Sequence, residues 1–236
     1  MRPEHLVLNR IVSDAADYSA RKVGHFEAIE CTFRNCNFTR MQIDYVSFAS
    51  GTGPTLYQDC RFDLSRMREA AGGPARFERC SFESVRIDLF LCHATEFVDC
   101  RFSGRLSGYF NGTPPDDWQA SLRRDKNEFS GNDFSRAELC DLSFRTGIDL
   151  SLQKLPTAPE KYFYSRRPEL CIRALREKAL VWRPDDPEDR KEVFSFIQVL
   201  EWELEGGQKE LFISLAAMKP SSEARKFIHQ ALAACT

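Results

Sequence analysis

Large apolar side chains return at every fifth position over much of the first 150 residues. They form three runs in one register: Phe33, Phe38, Ile43 and Phe48; Tyr57, Phe62, Met67, Gly72, Phe77, Phe82, Ile87, Cys92, Phe97 and Phe102; and Phe129, Phe134, Leu139 and Phe144. Of these 18 positions all but Gly72 are hydrophobic, and eleven are Phe. A period of five is neither the 3.6 of a helix nor the 2 of an ordinary strand, so it predicts a repeat architecture.

A small or slim side chain usually stands two residues before each of these positions. The resulting motif occurs as CTFRN, CNFTR, CRFDL, CSFES and CRFSG. It resembles the repeat of the pentapeptide-repeat protein family, and the resemblance covers about residues 31–149. What the resemblance implies is a mainly β fold, a right-handed quadrilateral β-helix with one pentad on each of four faces and twenty residues per coil.

A twenty-residue coil requires side chains twenty positions apart to stack in columns. Three sets have this spacing: Cys60, Cys80 and Cys100; Phe62, Phe82 and Phe102; and Tyr57, Phe77 and Phe97. The first coil joins them if four residues loop out around residues 51–54, where Gly and Pro suit a corner excursion. We therefore expect four cysteines to form one buried, reduced column beside the Phe side chains: Cys36, Cys60, Cys80 and Cys100.

The predicted domains are an N-terminal cap at residues 1–30, the β-helix at 31–150, and a linker with a C-terminal α-helical bundle at 151–236. The cap is expected because an open coil presents unpaired backbone groups. Helices are predicted at about residues 169–182, from the Asp186-Pro187 pair to 205, at 208–218 and at 223–234. The sequence leaves open whether this bundle is a free domain or lies on the last coil, and whether it forms a homodimer.

The five-residue register is lost at about residues 104–126, which are rich in Gly, Pro and charge and predict a loop extruded from the coil. In one interpretation its aromatic side chains pack back onto the β-helix. In the other it binds a partner, because Trp and Arg dominate interface hot spots. The candidate partner-binding residues of the loop are Asp116, Asp117, Trp118, Arg123 and Arg124. The acidic final coil adds Glu128, Asp133, Glu138 and Asp141.

The sequence shows no pattern typical of catalysis. His5, His25, His93 and His229 are scattered, and neither HExxH, GxSxG nor a phosphate-binding GK[ST] is present. One Cys per coil makes a line, whereas zinc needs a tetrahedron of ligands. We therefore predict no catalytic residue, no metal site and no cofactor, and a protein that is not an enzyme.

Composition bears on location and on partners. The 33 basic and 35 acidic residues leave a net charge of −2, which gives no overall attraction to nucleic acid or to an anionic membrane. The first residues lack the apolar core of a signal peptide, and no apolar run reaches about 18 residues. A cytoplasmic location and reduced cysteines are the resulting expectations.

Similarity to the Qnr-type quinolone-resistance members of the family implies a topoisomerase partner, because those proteins imitate B-DNA and bind DNA gyrase or topoisomerase IV. Residues 26–150, however, carry 19 acidic and 15 basic side chains. Their net charge of −4 is small beside the roughly thirteen charges of about 22 Å of duplex DNA. The sequence therefore favours a protein-binding adaptor or scaffold, with topoisomerase protection as the alternative.

Overall fold

The computed structural model describes residues 4–215 and 223–234, and most of its strands belong to two parallel sheets. The larger sheet contains, in spatial order, β1 (Glu4–Asn9), β3 (Lys22–Ile29), β5 (Gln42–Ser50), β7 (Arg66–Ala71), β9 (Ser81–Cys92), β11 (Arg101–Asn111) and β13 (Asp133–Arg145). The second contains β2 (Val12–Asp14), β4 (Thr32–Arg34), β6 (Thr55–Gln58), β8 (Ala75–Glu78), β10 (Glu96–Val98) and β12 (Phe129–Ser130). Because the chain alternates between the two sheets, it winds as a solenoid, and the predicted fold class, a right-handed β-helix with C-terminal helices, is confirmed.

The strand register confirms the twenty-residue coil and its excursions. Tyr57 pairs with Phe77, twenty residues on, whereas Phe33 pairs with Tyr57, twenty-four residues on. The additional four residues leave the coil at residues 51–54, as predicted. Phe97 pairs with Phe129, so the longer loop adds twelve residues between these two coils.

Aromatic rings fill the interior in two columns. The first column contains Tyr18, Phe38, Phe62, Phe82, Phe102 and Phe134, with consecutive ring centroids 4.4–5.0 Å apart. The second contains Phe33, Tyr57, Phe77 and Phe97, with centroids 4.7–5.0 Å apart. This spacing matches the separation of neighbouring strands, so backbone hydrogen bonding and ring stacking impose the same repeat distance.

The predicted N-terminal cap is wrong, because residues 4–29 form strands of the same two sheets. β1 pairs in parallel with β3, and β2 pairs in parallel with β4. The pentad register is weak here, since Ser13 pairs with Phe33 and occupies a position where later coils carry an aromatic ring. Phe26 is nonetheless fully buried, so the hydrophobic core includes this coil.

The loop also begins later than the predicted residue 104. β11 continues to Asn111, with Leu106 and Phe110 buried in the core. The five-residue register could not be recognised here, because Leu106 and Phe110 follow Phe102 at intervals of four residues. Gly104 permits the first shortened step, since its φ is +89° and a Cβ there would lie 2.1 Å from a backbone oxygen of the preceding coil.

The predicted cysteine column is buried, which confirms its position in the core. Cys36, Cys60, Cys80 and Cys100 are each at most 1% exposed. Each thiol donates a hydrogen bond to a carbonyl of the preceding coil, for example Cys80 Sγ to Tyr57 O at 3.3 Å. Burial raises the pKa of the Cys80 thiol well above its usual value, which disfavours the reactive thiolate.

We expect native thiol labelling to leave this column unmodified. Cys140 is only half-buried and should react first among the described cysteines. Brief treatment with iodoacetamide, followed by peptide mass spectrometry, measures each site, with urea-denatured protein as the control for complete labelling. Rapid modification of Cys60 or Cys80 without denaturant would contradict the packing described here.

Over residues 162–215 and 223–234, the C-terminal region contains two strands and three helices. β14 (Tyr162–Ser165) pairs antiparallel with β15 (Leu211–Ser214), and the helices are α2 (Pro168–Val181), α3 (Pro187–Glu205) and α4 (Glu223–Ala233). The predicted helix at 208–218 is therefore wrong over residues 211–214, while positions 216–218 lie outside the described residues. All four residues of β15 are buried, so neither the 3.6 nor the 2 period marks this strand in the sequence.

This region covers the last coil of the β-helix instead of forming a free domain. The Tyr162 hydroxyl accepts a hydrogen bond from Leu139 N (3.0 Å), and the Ser214 hydroxyl donates one to Leu139 O (2.6 Å). Gln208 accepts hydrogen bonds from the amides of Gly147 and Ile148, both at 3.1 Å. The C-terminal region is thus the cap that an open solenoid end requires.

Candidate partner-binding surfaces

Charges on the β-helix are paired between successive coils. Arg10 contacts Glu30 at 2.9 Å, and Arg79 contacts Asp59 at 2.9 Å, each pair twenty residues apart in sequence. Arg76 bonds Glu96, again twenty residues away, at 3.1 Å. These pairs neutralise charge locally. The mixture of acidic and basic residues in the sequence therefore corresponds to ion pairs between successive coils, which we call ion-pair ladders.

The extruded loop, residues 112–128, contains the short helix α1 (Asp116–Leu122). Trp118 on this helix is half-buried and forms, with Pro115, one wall of a groove of about 460 Å³. Small side chains of two successive coils form much of the remaining wall: Ser47, Ala49, Ser50 and Ala71. We call this site the corner groove.

Three charged residues of the loop lie on, or at the end of, the helix that carries Trp118. Asp116 and Asp117 are exposed in the first turn of α1, where carboxylates interact favourably with the helix dipole. Arg123 is exposed at the end of the helix, with a left-handed φ of 54°. Three of the predicted loop residues are therefore exposed on, or at the end of, the helix that carries the half-buried Trp118.

Arg124 and Glu128 lie at the base of the loop in a network of charges. Arg124 is ion-paired with the buried Glu96 and donates a hydrogen bond to Ala94 O. Burial lowers the pKa of Arg124, and Glu96 opposes that shift. Glu128 contacts Arg76 at 2.9 Å. Both residues thus attach the loop to the coil.

The remaining predicted residues lie on β13. Asp133 contacts Lys154 at 3.5 Å, and hydrogen bonds from Ser135 hold the pKa of its carboxyl below the usual value. Glu138 and Asp141 are exposed. The structure therefore divides the predicted set between the loop and the final strand of the large sheet.

Three side chains that sequence reasoning missed extend the surface from the corner groove. His93 lines the groove, and its Nε2 lies within hydrogen-bonding distance of the Tyr109 hydroxyl. The Arg145 guanidinium lies over the Tyr109 ring, 4.7 Å from the centroid. Burial lowers the pKa of His93, with a further contribution from Arg145, so the neutral imidazole is favoured. These residues lie on three successive coils, so the parallel pairing of the coils brings them together.

A larger cavity of about 740 Å³ lies between the segment that follows the last coil and α4. Its mainly apolar lining includes Leu155, Tyr162, Phe212 and Leu232. Leu215, the last described residue before position 223, also lines it, and we assign the cavity no function.

Within residues 4–215 and 223–234, no group of three or more His, Cys, Asp or Glu side chains is arranged to hold a metal ion. In the same ranges, no helix is both long and apolar enough to cross a membrane.

Comparison with known proteins identifies structural neighbours only. No protein family matches the sequence, and no curated protein matches it. The chain is similar to two trypsin-treated variants of QnrB1, a plasmid-mediated fluoroquinolone resistance protein. For the first, identity is 14%, the TM-score is 0.21, and the match covers 64% of this chain and 77% of QnrB1. For the second, identity is 13%, the TM-score is 0.20, and the coverages are 63% and 79%.

Proposed function

We propose that this chain is a pentapeptide-repeat protein that acts as a non-enzymatic adaptor or scaffold and binds another protein through the corner groove. The observation that carries the proposal is the half-buried Trp118 beside a groove of about 460 Å³, on a short helix with exposed charged residues at both ends. Protein interfaces commonly combine a central aromatic anchor with a polar rim. In this proposal Trp118 is the anchor, and Asp116, Asp117 and Arg123 form the rim.

The rigidity of the surroundings supports this assignment. Asn127, buried at the end of the loop, donates hydrogen bonds to His93 O (3.1 Å) and Asn111 O (2.8 Å). Together with the Arg124–Glu96 ion pair, these contacts hold both ends of the loop against the coil. A partner would then meet a preorganised surface and would lose less conformational freedom on binding.

Replacing Trp118 with alanine is expected to weaken partner binding by about 2 kcal/mol or more, roughly thirtyfold, because the anchor is lost. Wild-type protein, Trp118→Ala and Tyr45→Ala serve as baits in a lysate of the natural host, and quantitative mass spectrometry compares the captured proteins. Tyr45 is a matched control, since it is an exposed aromatic residue outside the groove. Equal recovery of every captured protein by all three baits would contradict the proposal.

Topoisomerase protection is the alternative, and the exposed carboxylates of Glu138 and Asp141 on the final coil are the feature that favours it. The ion-pair ladders count against an extended imitation of DNA. A supercoiling assay with purified gyrase and a fluoroquinolone compares wild-type protein with a variant lacking residues 113–126. If neither protein alters gyrase activity at several-fold molar excess, the alternative should be abandoned.

A further inference from the structure

One outward-facing column of the β-helix departs from the ion-pair ladders. Five exposed residues stand in register on the successive strands β3 to β11 of the large sheet: Lys22, Gln42, Arg66, Arg86 and Arg105. Four of the five are cations. Glu138 follows Arg105 in register on β13 and ends the run. We call these five residues the basic column.

The cations of the basic column lack the partners that other columns provide. In the part of the chain that the structure describes, Lys22, Arg66 and Arg105 form no ion pair with a carboxylate, whereas Arg86 contacts Asp88 at 2.8 Å. Like charges on neighbouring strands destabilise a sheet. A bound chain of anions would offset this repulsion.

A groove of about 310 Å³ opens along the basic column. Its charged lining comprises four cations and two carboxylates: Lys22, Arg66, Arg68, Arg86, Asp44 and Asp88. Neighbouring strands lie about 4.8 Å apart, so the column from Lys22 to Arg105 spans roughly 19 Å. That length fits a chain of several anionic groups better than one isolated anion.

Exposed rings accompany the basic column on the same sheet. His5, His25 and Tyr45 are in register on β1, β3 and β5, and the two imidazole rings stack with their centroids 5.9 Å apart. Tyr45 is 44% exposed. Arg68, which also lines the groove, lies 5.3 Å from the centroid of the Tyr45 ring and donates a hydrogen bond to its hydroxyl at 2.9 Å. Arg68 therefore connects the rings with the groove.

The combination of cations and rings distinguishes between polyanions. Single-stranded nucleic acid uses both features, because cations follow its phosphates while its unpaired bases stack on aromatic side chains. A duplex keeps its bases stacked on one another, and a single line of cations meets only one of its two backbones. An acidic peptide would satisfy the cations but has no bases to place on the rings.

We propose that the basic column and the rings of His5, His25 and Tyr45 bind single-stranded nucleic acid, with phosphates along the column and bases against the rings. No described residue lines both this groove and the corner groove. The inference therefore does not depend on the function proposed above.

Binding of a defined probe tests the inference. The probe is a fluorescein-labelled single strand of twelve thymidines, the control is the same strand annealed to twelve adenosines, and fluorescence anisotropy measures both. We expect saturable binding of the single strand, about tenfold or more tighter than binding of the duplex. Neutralising about four phosphates predicts a loss of affinity of roughly fiftyfold between about 50 and 200 mM NaCl.

Charge reversals test the basic column. Arg66→Glu should weaken binding of the single strand about tenfold or more and reduce its salt dependence, and Lys22→Glu should act in the same direction. Arg61→Glu is the matched control, because Arg61 is an exposed arginine five residues earlier that pairs with Asn37 and Ser81, outside the column. It should change the affinity less than about threefold.

Substitutions of Tyr45 test the contribution of the rings. Tyr45→Ala should weaken binding about fivefold or more, which corresponds to the loss of one stacked base, whereas Tyr45→Phe keeps the ring and should bind like the wild type. Trp118→Ala, in the corner groove, should leave the affinity unchanged. Circular dichroism of each variant checks that it is folded.

Four outcomes would overturn the inference. They are absence of saturable binding, equal affinity for the duplex and the single strand, equal effects of Arg66→Glu and Arg61→Glu, and unchanged binding by Tyr45→Ala. Displacement of the probe by polyglutamate at an equal concentration of charge would instead assign the basic column to an acidic protein segment, and would also overturn the proposal.

Discussion

Replacing Phe82 with alanine is expected to lower the free energy of unfolding by about 3–5 kcal/mol. Phe82 is fully buried and stacks between Phe62 (4.7 Å) and Phe102 (5.0 Å). The cavity cannot readily collapse, because hydrogen bonds to neighbouring coils hold the strands at their separation. Urea denaturation followed by circular dichroism measures the loss.

Two control variants bracket this effect. Leu89→Ala removes a partly exposed side chain from the same strand, β9, and should cost less than about 1 kcal/mol. Tyr18→Ala removes the terminal ring of the column, which stacks on Phe38 alone within it, and should cost less than Phe82→Ala. Similar losses for Phe82→Ala and Leu89→Ala would show that the stacked column is not the main source of stability.

Truncation after Leu155 is expected to convert the protein into an aggregating species. It would remove the strands and helices that cover the last coil, and would expose Phe144, which now packs edge-on against Phe212 at 6.0 Å. It would also free the edge of β13 for pairing with other chains. Size-exclusion chromatography and thermal unfolding of the truncated chain check the result. A monomer with the unfolding temperature of the full chain would contradict the assignment of this region as a cap.

A single substitution tests the same cap without removing any of its strands or helices. Gln208 is 2% exposed, and its amide makes hydrogen bonds to Gly147, Ile148 and Glu210. Gln208→Ala leaves several backbone groups without partners, and we expect a loss of about 2–3 kcal/mol. Gln198→Ala makes the same chemical change at an exposed position of α3 and should be nearly neutral. Equal unfolding midpoints for the two variants in urea would contradict the role given to Gln208.

The candidate site was only partly accessible from the sequence. The loop was recognisable because it interrupts the repeat and contains Trp118 among charges, but its position against the coils was not. Arg124 follows Trp118 closely in the sequence. Because Trp and Arg are common in interface hot spots, this proximity suggested that Arg124 contacts a partner. Its ion pair with the buried Glu96 depends on the coil that carries Glu96, twenty-eight residues earlier. That pairing could not be deduced before the loop was placed.

The β-helix with its aromatic and cysteine columns followed from the resemblance of the repeated motif to the pentapeptide-repeat family, and the five-residue period by itself indicated the repeat architecture. It could do so because every coil repeats the same contacts at the same spacing, and repeated contacts leave a periodic pattern. Four features could be recognised only in the tertiary structure: the coil containing Ser13, the shortened step at Gly104, the buried strand Leu211–Ser214 and the C-terminal cap. Gln208 contacts Ile148, sixty residues earlier. Such a contact is made once, between distant segments, and therefore leaves no period in the sequence.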